Sequence, residues 1–199
     1  MDKKELELEL EKLEGFQDPD SKLEQYRTPP ELASSVLWSV YMKGEIEGKK
    51  IYDLGCGTGT LGIGAKILGA EEVVCVDVDE KAIEIAKKNA KKAGVDIEFL
   101  AIDVMEASGS ADIVIQNPPF GSQVPGSDRP FIKKSLKIAP VVYSFHMGGT
   151  DRFVRRYVDN CGGVVTSSQT INFPLERTMP WHDKDIESVE VVFYRFERK

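Results

Sequence analysis

The segment from Lys50 to Asp103 constrains the fold most, because short apolar runs alternate in it with helix-like stretches. The connections between these elements are only a few residues long, which favours parallel strands joined by right-handed helical crossovers. We therefore predict an α/β protein with a single-domain, Rossmann-like, doubly wound sheet that is mostly parallel. The predicted strands are 51–54, 73–77 and 97–103, and the predicted helices are 60–68 and 80–93.

Composition limits the classes of protein to which the chain can belong. Its 199 residues are enough for one sizeable core, and no apolar run approaches the ~20 residues that span a bilayer. Three widely spaced cysteines and two histidines suit neither a disulfide framework nor a metal site, so we predict no metal and a reducing, cytoplasmic location. The net charge of −7 argues against binding nucleic acid by bulk electrostatics alone.

A glycine loop, Gly55-Cys56-Gly57-Thr58-Gly59, joins the first predicted strand to its helix. Glycines there let a ligand approach the backbone, and the loop alone would suit NAD, FAD or S-adenosylmethionine. Asp53, two residues before the loop, would repel a pyrophosphate but suits a cationic cofactor without phosphate. The Gly-x-Gly-x-Gly spacing also departs from the dinucleotide pattern. These details favour S-adenosylmethionine.

Two further aspartates follow predicted strands. Asp77 ends the second strand, where its carboxylate can accept hydrogen bonds from ribose hydroxyls, although this residue alone would also fit NAD. Asp103 ends the third strand, near the place where an adenine amine could be bound. Ordinary turns or helix caps are the alternative for both residues and for Asp53. Their shared position at the carboxyl ends of successive strands favours a ligand site.

The stretch Asn117-Pro118-Pro119-Phe120 follows another apolar run, 112–116. Two prolines have no N–H to donate, so the chain must leave the sheet at the carboxyl end of that strand. There the Asn117 side-chain oxygen and the Pro118 carbonyl could accept hydrogen bonds from an adenine-like amine while its ring stacks on Phe120. The alternative is a strand-ending turn with a core phenylalanine.

Three flanking segments carry weaker predictions. Residues 2–14 have leucines on one helical face and predict a short helix, either capping or partly frayed, with a solvated charged face. Residues 121–129 predict a mobile loop beside the ligand site. Residues 172–184, with Trp181 and His182, predict a long loop.

Together these motifs resemble one family. Asp53-Leu54-Gly55-Cys56-Gly57-Thr58-Gly59 and Asn117-Pro118-Pro119-Phe120 resemble class I S-adenosylmethionine-dependent amino-methyltransferases. Three segments, 23–29, 117–121 and 143–146, are similar to the archaeal and eukaryotic ribosomal-RNA adenine-N6 methyltransferases of the methyltransferase-like protein five group. The resemblance implies a seven-stranded sheet with an antiparallel C-terminal strand, an N-terminal helix and cofactor-covering loop over 1–28, and a methyltransferase domain over 29–199.

The candidate site residues fall into three groups. For catalysis we predict Asn117, Pro118, Pro119 and Phe120. For substrate binding we predict Phe120, His146, Lys133 and Arg152, although a solvated helix face is the alternative for the two basic residues and a strand-end histidine for His146. The predicted cofactor contacts are Gln25, Tyr26, Thr28, Asp53, Gly55, Gly57, Thr58, Gly59, Thr60, Asp77, Val78, Asp103, Val104 and Asn117.

The resemblance also implies partners: an RNA substrate, whose base must be unstacked to enter, and a small zinc-binding activator protein. The run Ile97–Ile102 is apolar on both faces, and in this topology it forms an edge strand that needs cover. Four alternatives stay open, namely a protein glutamine N5-methyltransferase, a DNA adenine methyltransferase, a dehydrogenase and a non-catalytic cofactor-binding scaffold.

Overall fold

The computed structural model describes residues 1–121, 123–176 and 186–199. A short 3₁₀ turn, Ser21–Leu23, precedes the second helix. The described helices are α1 (Lys3–Glu11), α2 (Pro30–Tyr41), α3 (Thr60–Ile67), α4 (Glu80–Ala93), α5 (Arg129–Ile138) and α6 (Asp151–Asn160). The described strands are β1 (Lys50–Leu54), β2 (Glu72–Asp77), β3 (Glu98–Ala101), β4 (Ile113–Gln116), β5 (Val141–Met147), β6 (Gly163–Glu176) and β7 (Ile186–Arg198).

Within these residues the strands form one seven-stranded sheet in the order β3-β2-β1-β4-β5-β7-β6. Strands β1 to β5 pair in parallel, whereas β7 runs antiparallel to both of its neighbours. Strands β2 and β3 lie on one side of β1, and β4 and β5 lie on the other, so the sheet has a switch point between β1 and β4. Open α/β sheets bind ligands at such a point, at the carboxyl ends of their strands. The predicted fold class, with its antiparallel C-terminal strand, is confirmed.

Two apolar layers cover the sheet, and β1 shows how the sequence produces them. Alternate residues of a strand point to opposite faces. Ile51 contributes to a core shared with α1–α4, whereas Tyr52 and Leu54 contribute to a second core shared with α5 and α6. Asp53 shares the face of Ile51, so its carboxylate is directed into an apolar layer near the end of the central strand, where it is 1% exposed.

Helix α1 is a short helix that covers the core, as one of the two alternatives predicted, and the alternative of a partly frayed helix is wrong. A capping box closes its first turn, in which Asp2 and Glu5 each accept a hydrogen bond from the backbone of the other. Leu6 and Leu10 are fully buried against α2 and α3. Gly64 in α3 makes this approach possible, because a Cβ there would lie 2.4 Å from Leu37 Cδ1 and 3.4 Å from Leu10 Cδ2. Packing therefore stabilises a helix that is marginal by itself.

The last two strands pair antiparallel, and of the loop predicted over 172–184 the described part, 172–176, is a strand instead. Residues 172–176 continue β6 and pair with β7, although Pro174 argues against a strand. A proline is tolerated there because β6 is an edge strand, with a partner on one side only. Trp181 and His182 lie outside the described residues. Of the described helices, none is long and apolar enough to cross a membrane.

Candidate active site

A cavity of about 420 Å³ opens at the carboxyl ends of β1, β2 and β4. The glycine loop forms its floor, and the segment between α1 and α2 (residues 12–29, here the N-terminal loop) forms much of its wall. Most of the predicted site residues line it. They are Gln25, Tyr26, Thr28, Asp53, Gly55, Gly57, Thr58, Thr60, Asp77, Val78, Asp103, Val104, Asn117 and Pro119.

Asp53 is the most buried acidic group of the cavity wall. Its Oδ2 accepts a hydrogen bond of 2.8 Å from the backbone N–H of Gly62 in the first turn of α3. Among the described atoms its Oδ1 is buried and has no hydrogen-bond partner. Burial raises the pKa of Asp53 to about 7, with a smaller contribution from the Asp77 carboxylate. A bound cation would supply the missing partner and favour the charged carboxylate.

Asp77 holds the glycine loop against β2. Its Oδ2 accepts from the N–H of Gly57 at 2.7 Å, and its Oδ1 accepts from the N–H of Asp79 at 3.0 Å. Burial raises the pKa of this carboxyl above its ordinary value. Each carboxylate oxygen has a second lone pair, so Asp77 can still accept from a ligand. Asp103 is exposed, lies beyond the end of β3 and caps the following turn through the N–H of Met105 at 2.7 Å.

The N-terminal loop covers the glycine loop from above. Phe16 packs so closely on Gly57 that a Cβ there would lie 2.8 Å from the Phe16 ring. Gln25 connects two segments, since its Oε1 accepts from the N–H of Asp20 and its Nε2 donates to Asp79 at the start of α4, both at 2.7 Å. Sequence reasoning missed Phe16, because a lone aromatic residue in a polar loop carries no pattern that distinguishes it.

The Asn117 amide is held in one orientation. Its Nδ2 donates to Thr28 Oγ1 at 3.1 Å, while its Oδ1 is buried and finds no partner among the described atoms. Thr28 was predicted as a cofactor contact, and the structure gives it this additional contact with the turn. The Asn117 amide therefore presents to the cavity wall an acceptor that lacks a donor. A buried acceptor without a hydrogen bond lowers the stability of the folded protein unless a ligand supplies the N–H.

Glu24 is a second residue that sequence reasoning missed. Its carboxylate accepts from the N–H of Phe120 at 2.7 Å and from the N–H of Gln123 at 2.8 Å. Glu24 is 7% exposed and adopts φ of 50°, the only positive φ outside glycine in the described chain. The N-terminal loop thus binds the backbone on the far side of the Asn117 turn. A pattern search gives no reason to select one glutamate among the many acidic residues of this chain.

Known proteins match this architecture. The methyltransferase small domain, a family model, matches residues 30–138. The rRNA N6-adenosine-methyltransferase METTL5 of Danio rerio is 32% identical over 97% of this chain and 97% of its own length. An uncharacterised protein of Methanocaldococcus jannaschii is 36% identical over 98% of this chain and 94% of its own.

The crystal structure of a candidate RNA methyltransferase from Pyrococcus horikoshii superposes with a TM-score of 0.92 at 43% identity. It covers all of this chain and 98% of the other. The chain belongs to the methyltransferase small-domain family, in its METTL5 group. The suspected family is confirmed, and the protein is a methyltransferase.

Several predicted residues of this methyltransferase lie away from the cavity wall. Phe120 is half-buried and packs edge-on against Phe173, with 6.2 Å between ring centroids. Lys133 and Arg152 are exposed on α5 and α6, on the other side of the sheet from α1–α4. Gly59 and Pro118 also lie outside the cavity lining. The substrate roles assigned to these residues stay predictions.

His146 of this methyltransferase is buried beneath the loop that follows the Asn117 turn. Its Nε2 lies 2.8 Å from Ser144 Oγ, and its Nδ1 lies 3.3 Å from the carboxylate of Asp128. Gln116 in β4 donates to the same Ser144 hydroxyl at 3.0 Å. With a 2% exposed side chain, His146 is placed to orient the loop through Asp128 rather than to touch a substrate directly.

Proposed function

We propose that this methyltransferase transfers a methyl group from S-adenosylmethionine to the N6 amine of an adenosine in ribosomal RNA. One observation carries the proposal: the buried Asn117 Oδ1 has no partner among the described residues, while Thr28 fixes the other end of the amide. An exocyclic amine is a donor that matches such an acceptor. The relatives that bear the name rRNA N6-adenosine-methyltransferase support the choice of amine and of RNA.

The cavity suits the cofactor. S-adenosylmethionine is a cation without phosphate, and the wall holds the buried Asp53 and the half-buried Asp77, of which Asp53 has an oxygen without a described partner. Residues of the glycine loop line the cavity, and glycines there let a ligand approach the backbone N–H groups. When bound, the cofactor supplies an activated methyl group. Asp53, Asp77 and the glycine loop would hold it, with Gln25 and Phe16 above.

Asn117 acts by positioning. The lone pair of an adenine N6 amine is delocalised into the ring, so the nitrogen is a weak nucleophile. Hydrogen bonds from both of its N–H groups, to Asn117 Oδ1 and to the Pro118 carbonyl, would favour a tetrahedral nitrogen whose lone pair points away from these acceptors. Asn117 is neutral and cannot serve as a general base. Fixed dipoles and orientation therefore carry the catalysis.

The target base has to leave its stack before it reaches Asn117. The Asn117 Oδ1 acceptor is buried, so an adenine within a duplex cannot reach it. We infer that the base is flipped or single-stranded and that Phe120 stacks on it once the base is in place. Lys133 and Arg152 are exposed cations that would contact phosphates at a distance from the flipped base.

Methyl transfer from labelled S-adenosylmethionine into purified ribosomal subunits, followed by nucleoside analysis, tests the proposal. We expect label in N6-methyladenosine, with and without a zinc-binding partner, at different rates. Label in a glutamine of the protein fraction would instead support the glutamine N5-methyltransferase alternative. Cofactor binding without label in either fraction, with the partner present, would support a binding scaffold and contradict the proposal.

We also propose a small zinc-binding activator protein that pairs with the sheet edge at residues 97–102. Strand β3 has a neighbour on one side only, and its Phe99 and Leu100 are half-exposed on opposite faces. Such an edge is suited to addition of a strand from another chain. Hydrogen exchange of the co-expressed pair should show slower exchange of the outward amides of Glu98–Ala101; unchanged exchange would contradict this site. The cytoplasmic location stays part of the proposal.

A further inference from the structure

Two adjacent residues of the N-terminal loop bind opposite sides of the cavity. Gln25 donates to Asp79 at the start of α4, on the side of the glycine loop. Glu24 accepts from the N–H groups of Phe120 and Gln123, on the side of the Asn117 turn. The two sides are joined through a single peptide unit. A movement of the loop toward the cofactor is therefore transmitted to the backbone that follows Asn117.

The conformation of Glu24 indicates that this connection depends on specific contacts. A left-handed backbone is unfavourable for a glutamate, and it persists only where the surroundings determine it. The carboxylate is buried and takes part in none of the ion pairs described for this chain. Two backbone N–H groups offset its loss of water, as they can for an ionised carboxylate.

The neighbours of these hydrogen-bonded residues stand at the mouth of the cavity. Leu23 precedes Glu24, and Val124 follows Gln123. Both line the cavity, and both are exposed apolar side chains, at 40% and 56%. The hydrogen bond between Glu24 and Gln123 thus fixes two apolar side chains, one from each loop, where a base would enter. An unpaired base has apolar faces that such side chains can contact.

We propose that Glu24 is a positioning residue that couples cofactor binding to the shape of the Asn117 turn. When the N-terminal loop closes over the cofactor, Glu24 orders the backbone at Phe120 and at Gln123 and so completes the substrate side of the cavity. The substrate side is then formed only on molecules that already hold a methyl donor. The assignment of that side to an adenine rests on the proposed function; the coupling itself involves the cofactor and this chain alone.

Amide hydrogen exchange tests the coupling without any RNA. In the full-length wild-type protein, saturating S-adenosylmethionine should slow exchange at the Phe120 and Gln123 amides at least about tenfold. Glu24→Gln keeps the size of the side chain but turns an amide N–H₂ toward one of the two backbone donors. In this variant we expect less than twofold slowing, with a cofactor Kd within threefold of wild type. Glu71→Gln, on the exposed surface, is the matched control.

Activity provides the second readout. Glu24→Gln should lower kcat/KM for the RNA substrate by about tenfold to a hundredfold, as expected when one charge-assisted hydrogen bond is replaced by two facing donors. Two results would overturn the coupling. The first is that the cofactor slows hydrogen exchange at both amides in Glu24→Gln as much as in wild type. The second is that the cofactor leaves exchange at these amides unchanged in wild type. If Glu24→Gln does not fold, Glu24→Asn, which tolerates a left-handed backbone but is too short to reach both donors, replaces it.

These results separate this proposal from the proposed function. A wild-type protein that binds S-adenosylmethionine and slows its Phe120 and Gln123 amides, yet leaves adenosine unmethylated, would refute the adenine substrate and retain the coupling. Methylation of adenosine without a cofactor-dependent change at these amides would refute the coupling and retain the function.

Discussion

The two sides of the active site are built from contacts of different range. On the cofactor side, Asp53 binds Gly62 across 9 residues of sequence and Asp77 binds Gly57 across 20. On the substrate side, Thr28 binds Asn117 across 89 residues and Glu24 binds Phe120 across 96. Apart from its cover by Phe16 and Gln25, the first side forms within adjacent β-α units. The second side forms only when the N-terminal loop meets the end of β4. Substitutions should separate the two sides.

Asn117→Ala should have the largest effect and should be confined to the substrate side. Loss of the amine acceptor is expected to lower kcat roughly 10²- to 10³-fold, by analogy with the loss of one oriented dipole in other active sites. The cofactor Kd, measured by calorimetry, should stay within threefold. Asn160→Ala, at the exposed end of α6, is the matched control. A joint loss of cofactor affinity and turnover would contradict the separation.

Gly62→Ala should damage the cofactor side through packing. A Cβ at this position would lie 2.4 Å from Cys75 Sγ and 3.2 Å from Asp53 Oδ2, so neighbouring atoms must move. We expect the free energy of unfolding to fall by about 1–3 kcal/mol, the usual cost of overpacking a core. Denaturant titration measures it. Cys75→Ala removes the sulfur and should restore part of the loss in the double variant; strict additivity of the two substitutions would argue against this clash.

Thr28→Val distinguishes two roles for one residue. The substitution removes the hydroxyl that receives the Asn117 amide and keeps the shape of the side chain. If Thr28 acts on the substrate side, kcat should fall about tenfold, the effect of one lost hydrogen bond, while the cofactor Kd stays unchanged. Steady-state kinetics measures kcat and calorimetry measures the cofactor Kd, and together they distinguish the two roles. A raised Kd with an unaltered kcat would show instead that Thr28 contacts the cofactor, as the family resemblance implies.

The pH dependence of Asp53 should be the most gradual of these effects. Its pKa in the folded protein is raised to about 7, so between its ordinary value and about 7 the folded state binds a proton that the unfolded state has lost. Stability from this group is therefore fully present at low pH and is lost as pH rises through about 7. Relative to Asp53→Asn, cofactor-free wild type should lose on the order of 1 kcal/mol per pH unit up to that value, and then level off.

Denaturant titrations of both proteins from pH 5 to pH 8 measure this difference. The asparagine variant removes the titrating group and keeps the hydrogen-bond acceptor for Gly62. A difference that stays constant, or that grows in favour of wild type as pH rises, would contradict the assignment to Asp53.

The same contrast in range explains how much could be predicted from the sequence. Helix α4 was predicted with its observed bounds, because Asp79 caps its start and Gly94 takes a left-handed conformation at its end. Asp53, Asp77 and the glycine loop lie together as expected, since strand ends in a parallel sheet must meet at one edge. The predicted fold and family are confirmed for the same reason.

What could not be predicted depends on contacts between distant segments. Neither the spacing nor the residue type of Glu24 and Phe16 distinguishes them from other loop residues. Only folding of the chain brings them to the cavity. His146 was predicted at the substrate, but its place in β5 directs it into the interior, where it contacts Asp128. The strand over 172–176 also depends on its pairing with β7, which no local preference for Pro174 would indicate.

Helix α1 has a consequence for synthesis of the protein on the ribosome. Its Leu6 and Leu10 leave the exit tunnel before α2 and α3, which provide the surfaces that bury them. Asn89, in α4, then joins the segment after α1 to the glycine loop by accepting from the N–H of Glu14 and donating to the carbonyls of Glu14 and Thr58. Helix α1 must therefore wait, with its leucines exposed, until α4 has emerged. Nascent chains shorter than this should be the ones that need a chaperone.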